Sequence, residues 1–256
     1  MNSDYEQDWD VYFCYLEDTP AFISVDLGYF DVAPLTDKPH LIEVAAGLLT
    51  TTADGFPEND EWEKLEEIED MLVNSFEEKL EASFVGKTLN SGRRGLYFYS
   101  GDTLLVEQMI DELRQHFPAY TFEHQVQEDP NWEVYFDYLY PDEESLLRIQ
   151  NNKMLRLLEE QGDQAYVPRL ISYSLYFRSK KDRAAVVEEV TKSGFEVVEE
   201  SMLGSDKEVP YKLVLSRESK ADEETIYLVT EMLQQLAIQH DGEFDGWETQ
   251  VVQEND

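Results

Sequence analysis

Two stretches of this chain repeat one order of elements, and that order narrows the fold further than any composition figure. Runs rich in aromatic and β-branched residues read as strands, and segments with apolar residues three and four apart read as helices. From His40 the strands HLIEVAAGLL, SFVGKTL, GLYFYS and YTFEHQV enclose two helices, ending near Gln127. From Leu170 the strands LISYSLYF, FEVVEESM, YKLVLS and WETQVV enclose two more, ending at Val252. Each stretch is a βαββαβ unit, the order of the ferredoxin-like split fold, with an antiparallel sheet and helices on one face.

The helices have clear limits. Glu58 to Ala82 carries Trp62, Leu65, Ile68, Leu72, Phe76 and Leu80, with acids crowding its first turn, where they complement the helix dipole. Thr103 to Phe117 stops at Pro118. Lys180 to Gly194 follows Ser179, a predicted N-cap, and Ala221 to His240 stops at Gly242. The hairpin WDVYFCYL–AFISVDL precedes the first unit, and WEVYFDYLY reads as a strand extending its sheet. A further helix, Pro141 to Gln161, links the units and ends at Gly162. The fold class is therefore α+β, with two ferredoxin-like units, an extra N-terminal hairpin on the first, and domains at 1–141 and 142–256.

Charge limits what the chain can bind. Its 56 Asp and Glu against 20 Lys and Arg give a formal net of −36. Residues 1–141 carry −24 of this and the remainder −12, so the field is built into both halves. Such a field repels nucleic-acid backbones and anionic membranes and favours a basic protein partner. One cysteine, Cys14, cannot form an internal disulfide; with a polar, acidic N-terminus and no membrane-length apolar run, a cytoplasmic protein is expected.

The motifs of catalysis and cofactor binding are missing. His40, His116, His124 and His240 are scattered without ligand spacing, and no G-x-S-x-G or G-x-G-x-x-G occurs. Gly86-Lys87-Thr88 ends like a phosphate loop, but Glu81 occupies the place of its first glycine. Asp241, Glu243, Asp245 and Gly246 open like a calcium loop. That loop needs a bidentate Glu at its twelfth position, and Val252 stands there, so no metal and no cofactor are expected. Arg93 and Arg94 read as a polar turn offsetting local repulsion, or as an anion clamp. The alternative to a binding protein is an enzyme with a carboxylate-lined cleft between its domains.

Two Trp-bearing segments stand out. In EDPNWEVYFDYLYP, Glu128 to Pro141, period two would place Trp132, Val134, Phe136 and Tyr138 on one face. In DGEFDGWETQVV, Asp241 to Val252, Gly242 ends the helix, Asp245-Gly246 makes a turn, and Trp247 to Val252 forms the closing strand, with Trp247, Thr249 and Val251 sharing a face. Both tryptophans read as core, or as exposed anchors among acids. The candidate partner-binding residues are Glu128, Asp129 and Trp132 in the first segment and Glu243, Asp245, Trp247 and Glu248 in the second.

Two family resemblances rest on these segments. WDVYFCYLEDTPAFISVDL, KLEEIEDMLVNSFEEKL, LYFYSGD and QEDPNWEVYFDYLYPDEES resemble the uncharacterised bacterial family known as domain of unknown function six-nine-five, which implies a domain and no activity. IQNNKMLRLLEEQGD, YSLYFRS, GFEVVEES and the closing DGEFDGWETQVV are similar to the family of the regulator of ribonuclease activity, protein B. That resemblance implies a ferredoxin-like fold and a non-enzymatic protein that inhibits ribonuclease E by binding its basic, non-catalytic scaffold region. The expected function is an acidic protein–protein interaction module that regulates a ribonuclease.

Overall fold

The computed structural model describes residues 5–58, 61–204 and 207–253. Asn59 and Asp60, in the predicted start of the first helix, and Ser205 and Asp206, in the predicted loop GSDKEVP, lie outside them. The chain forms two compact units, Met1–Ser145 and Leu146–Asp256, against a predicted cut at Pro141. Asp142, at the start of the following helix, accepts from the Ser145 amide through its Oδ1 at 2.8 Å.

In the first unit, β1 (Trp9–Leu16), β2 (Thr19–Asp26) and β3 (His40–Gly47) precede α1 (Glu61–Leu80), β4 (Ser83–Asn90), β5 (Arg93–Ser100), α2 (Val106–His116) and β6 (Thr121–Glu128). The six strands form one antiparallel sheet in the order β1-β2-β4-β5-β3-β6. Its last four strands have the split-βαβ order that the sequence predicts, and the hairpin adds two strands beyond β4.

Period-two alternation gives this sheet two cores. Ile42, Val44, Leu96 and Phe98 meet Ile68, Leu72, Phe76, Ile110 and Leu113 of α1 and α2 on one face. Leu41, Tyr97, Tyr99 and Val85 point the other way, where they join Ile23 and Val25 of β2 beneath Trp132, Tyr135 and Leu139. Both faces of the central strands are therefore buried, and β5 has no polar face because every residue from Arg94 to Ser100 is buried.

The predicted strand WEVYFDYLY is not a strand. Glu133 and Val134 are helical and Tyr135–Leu139 continue as a π-helical turn, which lies across the second face instead of extending the sheet. The aromatic, β-branched composition matches strand propensity, but the Asp129 side chain accepts from the amides of Glu133 (2.8 Å) and Val134 (3.0 Å), a helix-starting geometry. Trp132, with φ of 57°, makes the reversal into it.

The second unit begins within α3 (Glu143–Glu160) and continues with β7 (Arg169–Phe177), α4 (Lys180–Lys192), β8 (Glu196–Met202), β9 (Tyr211–Ser219), α5 (Glu223–Gln239) and β10 (Gly242–Thr249). Its sheet order, β10-β7-β9-β8, is again that of the split βαβ fold. Ile171, Tyr173, Leu175 and Phe177 alternate inward to meet Val186 and Val190 of α4, Ile226, Val229 and Leu233 of α5, and Leu158 of α3. Ser179 caps α4, accepting from the Asp182 amide at 3.2 Å as predicted, and Asp222 caps α5.

Candidate functional site

β10 differs from its prediction in a way that decides which residues are available. The strand starts at Gly242 and ends at Thr249, and Asp245-Gly246 forms a bulge inside it rather than a turn before it. Phe244 pairs with Leu175 and Trp247 with Tyr173, so two residues oppose Ser174 alone. Residues three apart on a regular strand face opposite sides of the sheet; the extra residue lets Phe244 and Trp247 both enter the helix-side core. Gly246, with φ of 102°, supplies the backbone conformation this needs.

Trp247 is held by a buried polar relay. Its indole N–H donates to Asn151 Oδ1 of α3 at 2.9 Å, and Asn151 Nδ2 donates to Thr230 Oγ1 of α5 at 2.8 Å. Thr230 Oγ1 donates in turn to the Ile226 carbonyl at 2.9 Å, so each member of this buried chain is satisfied. The tail beyond β10 is fixed as well: the Val252 amide donates to Asp163 Oδ1 at 2.8 Å, and Asp163 is bonded to Arg169. Trp247 is a core residue and not an exposed anchor.

The acids of the same stretch behave differently. Glu243, Asp245 and Glu248 are exposed. Because Phe244 and Trp247 point to the helices, Glu243 and Glu248 point to the opposite, uncovered face of the sheet. Register defines that face. Glu248, Ser172, Ser216 and Glu196 form one row across the four strands, and Glu243, Tyr176, Lys212 and Ser201 form another. Between them lie Ser174, Val214 and Glu199. Glu199 holds Lys212 at 3.6 Å, and its carboxyl lies below the usual glutamate range because Ser201 donates to it, with Lys212 adding to the effect. The open face is thus a strip of Ser172, Ser174 and Tyr176, with Ser216 itself buried and glutamates on both outer strands. Residues on β8 and β9 that complete it, Glu196, Glu199 and Lys212, were not among the expected binding residues; only strand pairing brings them to β10.

In the first unit, Glu128 is exposed at the end of β6, but Asp129 and Trp132 are interior. Trp132 is fully buried, stacked on Tyr99 with ring centroids 4.0 Å apart and planes at 9°, and its indole N–H donates to the Lys38 carbonyl at 3.0 Å. Asp129 accepts from Tyr99 Oη at 2.5 Å besides its two backbone donors. The segment E-D-P-x-W is therefore a plug that seals the second face of the sheet. Of the residues expected to bind a partner in this segment, only Glu128 is exposed, and Asp129 and Trp132 are buried. Burial, and then the hydrogen bond to Asp129, raise the Tyr99 hydroxyl above its ordinary range, so it acts as a donor.

Arg93 and Arg94 do not form the predicted turn. Ser91 and Gly92, with φ of 49° and 74°, make it, and both arginines belong to β5. Arg94 is buried and paired with Glu69 of α1, which also holds Lys87 at 2.6 Å; Arg93 pairs with Glu123 at 2.6 Å. They are committed to neighbours rather than set to clamp an anion. Among the described residues, the carboxylates with displaced ionisation, Glu112, Glu188 and Glu199, are at the surface and all pushed down, unlike a buried general acid. Among those residues no three His, Cys, Asp or Glu side chains are placed to hold a metal ion, and no helix is long and apolar enough to cross a membrane.

Fold and site define an α+β protein built from two split-βαβ units, one with its central strands covered by helices on one face and a plug on the other, and one leaving a sheet face with exposed glutamates open. Residues 7–140 match the model of a family of unknown function, DUF695, and the chain belongs to that family. Residues 148–249 match the model of the family Regulator of ribonuclease activity B. No curated protein matches the chain. Among solved structures, an unknown protein from Galdieria sulphuraria aligns over 84% of this chain and 99% of its own at 9% identity, with a TM-score of 0.23 that carries no argument.

Proposed function

We propose that the chain is a non-catalytic, cytoplasmic regulator of a ribonuclease, and that the open sheet face of its second unit binds a basic segment of that enzyme. The match of residues 148–249 to Regulator of ribonuclease activity B carries the reading. The face supports it: glutamates stand on β8 and β10, and Lys212, the cation within it, is paired to Glu199. Arginine-rich segments meet such surfaces through charge-assisted bonds, with fast, salt-sensitive association. The partner expected is the basic scaffold region of a ribonuclease E-type enzyme. The direct test measures RNA cleavage by that enzyme with and without the protein, and binding of its scaffold peptide at low and high salt. Inhibition and binding that both disappear in Glu243→Lys/Glu248→Lys support the proposal; unchanged inhibition in that variant removes the face from it.

A further inference from the structure

Among the described residues the two sheets expose four edges, and three are protected in the usual ways. β8 and β10 each carry a bulge and exposed glutamates, and β6 presents Glu123, Gln125 and Glu128. β1 has no bulge, and Asp10, near one end, is the one acid within it. It pairs with β2 over eight residues without a register shift, and no other strand pairs with it among the described residues.

Hairpin geometry determines what this edge shows. Glu17 and Asp18, with φ of 48° and 65°, form a two-residue turn flanked by Leu16 and Thr19. That flanking pair is hydrogen-bonded, so Cys14 and Tyr12 follow as bonded positions, while Val11, Phe13 and Tyr15 turn their backbone groups outward. The Val11 amide accordingly donates to Oδ1 of the preceding residue, Asp10, at 2.8 Å and not across the sheet. The same three residues also expose apolar side chains, being 51%, 46% and 68% exposed. An aromatic ladder continues from them: Phe13 contacts Tyr15 and Phe22 at 5.4 Å each, and Phe22 contacts Phe56 at 5.1 Å.

We propose that the free edge of β1 is a second docking site, separate from the acidic face of the other unit, which takes an extended basic peptide by strand addition. Main-chain bonds to Phe13, Tyr15 and the Val11 carbonyl provide the register, and the aromatic ladder receives alternate apolar side chains of the peptide. Charge selects the occupant. Residues 1–141 carry a net −24, and Asp10, Glu17 and Asp18 close the two ends of the apolar strip. A second copy of the chain is disfavoured. Two β1 strands paired antiparallel about Phe13 would set Asp8 against Asp18 twice, between molecules of net −36 each. A segment alternating apolar residues with Lys or Arg meets both the strip and its flanks.

The probe is a blocked nonapeptide alternating Lys and Val, titrated into the full-length protein at low salt. Binding with 1:1 stoichiometry is expected. N-methylation of one alternate set of peptide amides should weaken it at least tenfold, and methylation of the other set should leave it nearly unchanged. Phe13→Ser/Tyr15→Ser should also weaken it at least tenfold, whereas Glu243→Lys/Glu248→Lys should not. No binding at millimolar peptide, equal effects of the two methylations, or full binding by the Phe13/Tyr15 variant each overturn strand addition at this edge. If that variant loses its native circular dichroism, the methylation comparison alone decides. A chain that sediments as a dimer, and becomes monomeric on Phe13→Ser/Tyr15→Ser, would place a second copy there and overturn the choice of occupant.

Discussion

Removing the Asp129 carboxylate should open the plug of the first unit. Its oxygens accept from Tyr99 Oη at 2.5 Å and from the amides of Glu133 and Val134 at 2.8 and 3.0 Å, and the residue is 5% exposed. Asp129→Ala leaves a buried hydroxyl and two helix-starting amides without their acceptor, at roughly 1–3 kcal/mol for each group that water cannot reach. Relaxation of the turn recovers part of this, so the expected loss is about 3–5 kcal/mol, at the high end for a single substitution. Asp129→Asn keeps an amide acceptor of the same shape and should cost about 1–2 kcal/mol. Equilibrium urea unfolding followed by near-UV circular dichroism measures both, since Trp132 and Tyr99 are stacked rings whose signal reports the plug. A cycle with Tyr99→Phe should show a coupling of about 1–2 kcal/mol between Tyr99 and Asp129. A loss under about 1 kcal/mol for Asp129→Ala, well below the cost of orphaned buried donors, would refute the claim that this carboxylate organises the turn.

Other expectations follow from the second unit. Asn151→Ala strands the buried indole N–H of Trp247 and should lower stability by about 2–3 kcal/mol in denaturant titrations, with Trp247→Phe removing much of that penalty in the double variant. Gly246→Val places a β-branched residue at φ of 102° and should cost about 1–3 kcal/mol through backbone strain alone, because no atom lies within 4 Å of an added Cβ. The Glu199 carboxyl titrates below the ordinary glutamate range, so the stability it contributes is present above that range and is lost as pH falls through its folded-state pKa. Removing the hydroxyl in Ser201→Ala should move that pKa upward in an NMR titration, and an unchanged value would refute the assignment to Ser201.

Periodicity by itself determined both βαββαβ units, because a stripe of apolar residues three and four apart can be buried only by a helix. Leu65, Ile68, Leu72, Phe76 and Leu80 are all buried on α1 as that spacing requires. Capping chemistry at Ser179 and the stop at Gly162 were equally local, since each depends on atoms within a few residues. The absence of catalytic motifs and the acidic field were also legible in the chain alone.

Tertiary structure decided the rest. Whether WEVYFDYLY became a strand depended on Asp129 being buried against Tyr99, a contact 30 residues away that outweighs β propensity. The bulge at Asp245-Gly246 depended on which side of the sheet the helices occupied, since only then do Phe244 and Trp247 both need to face inward. Fourteen Asp and Glu to every five Lys and Arg fix the sign of the surface in the sequence itself. Pairing alone distributes it, gathering glutamates from β8 and β10 onto one face and leaving Val11, Phe13 and Tyr15 on an unprotected edge, because a strand's neighbours are chosen by the fold and not by the residues beside it in the chain.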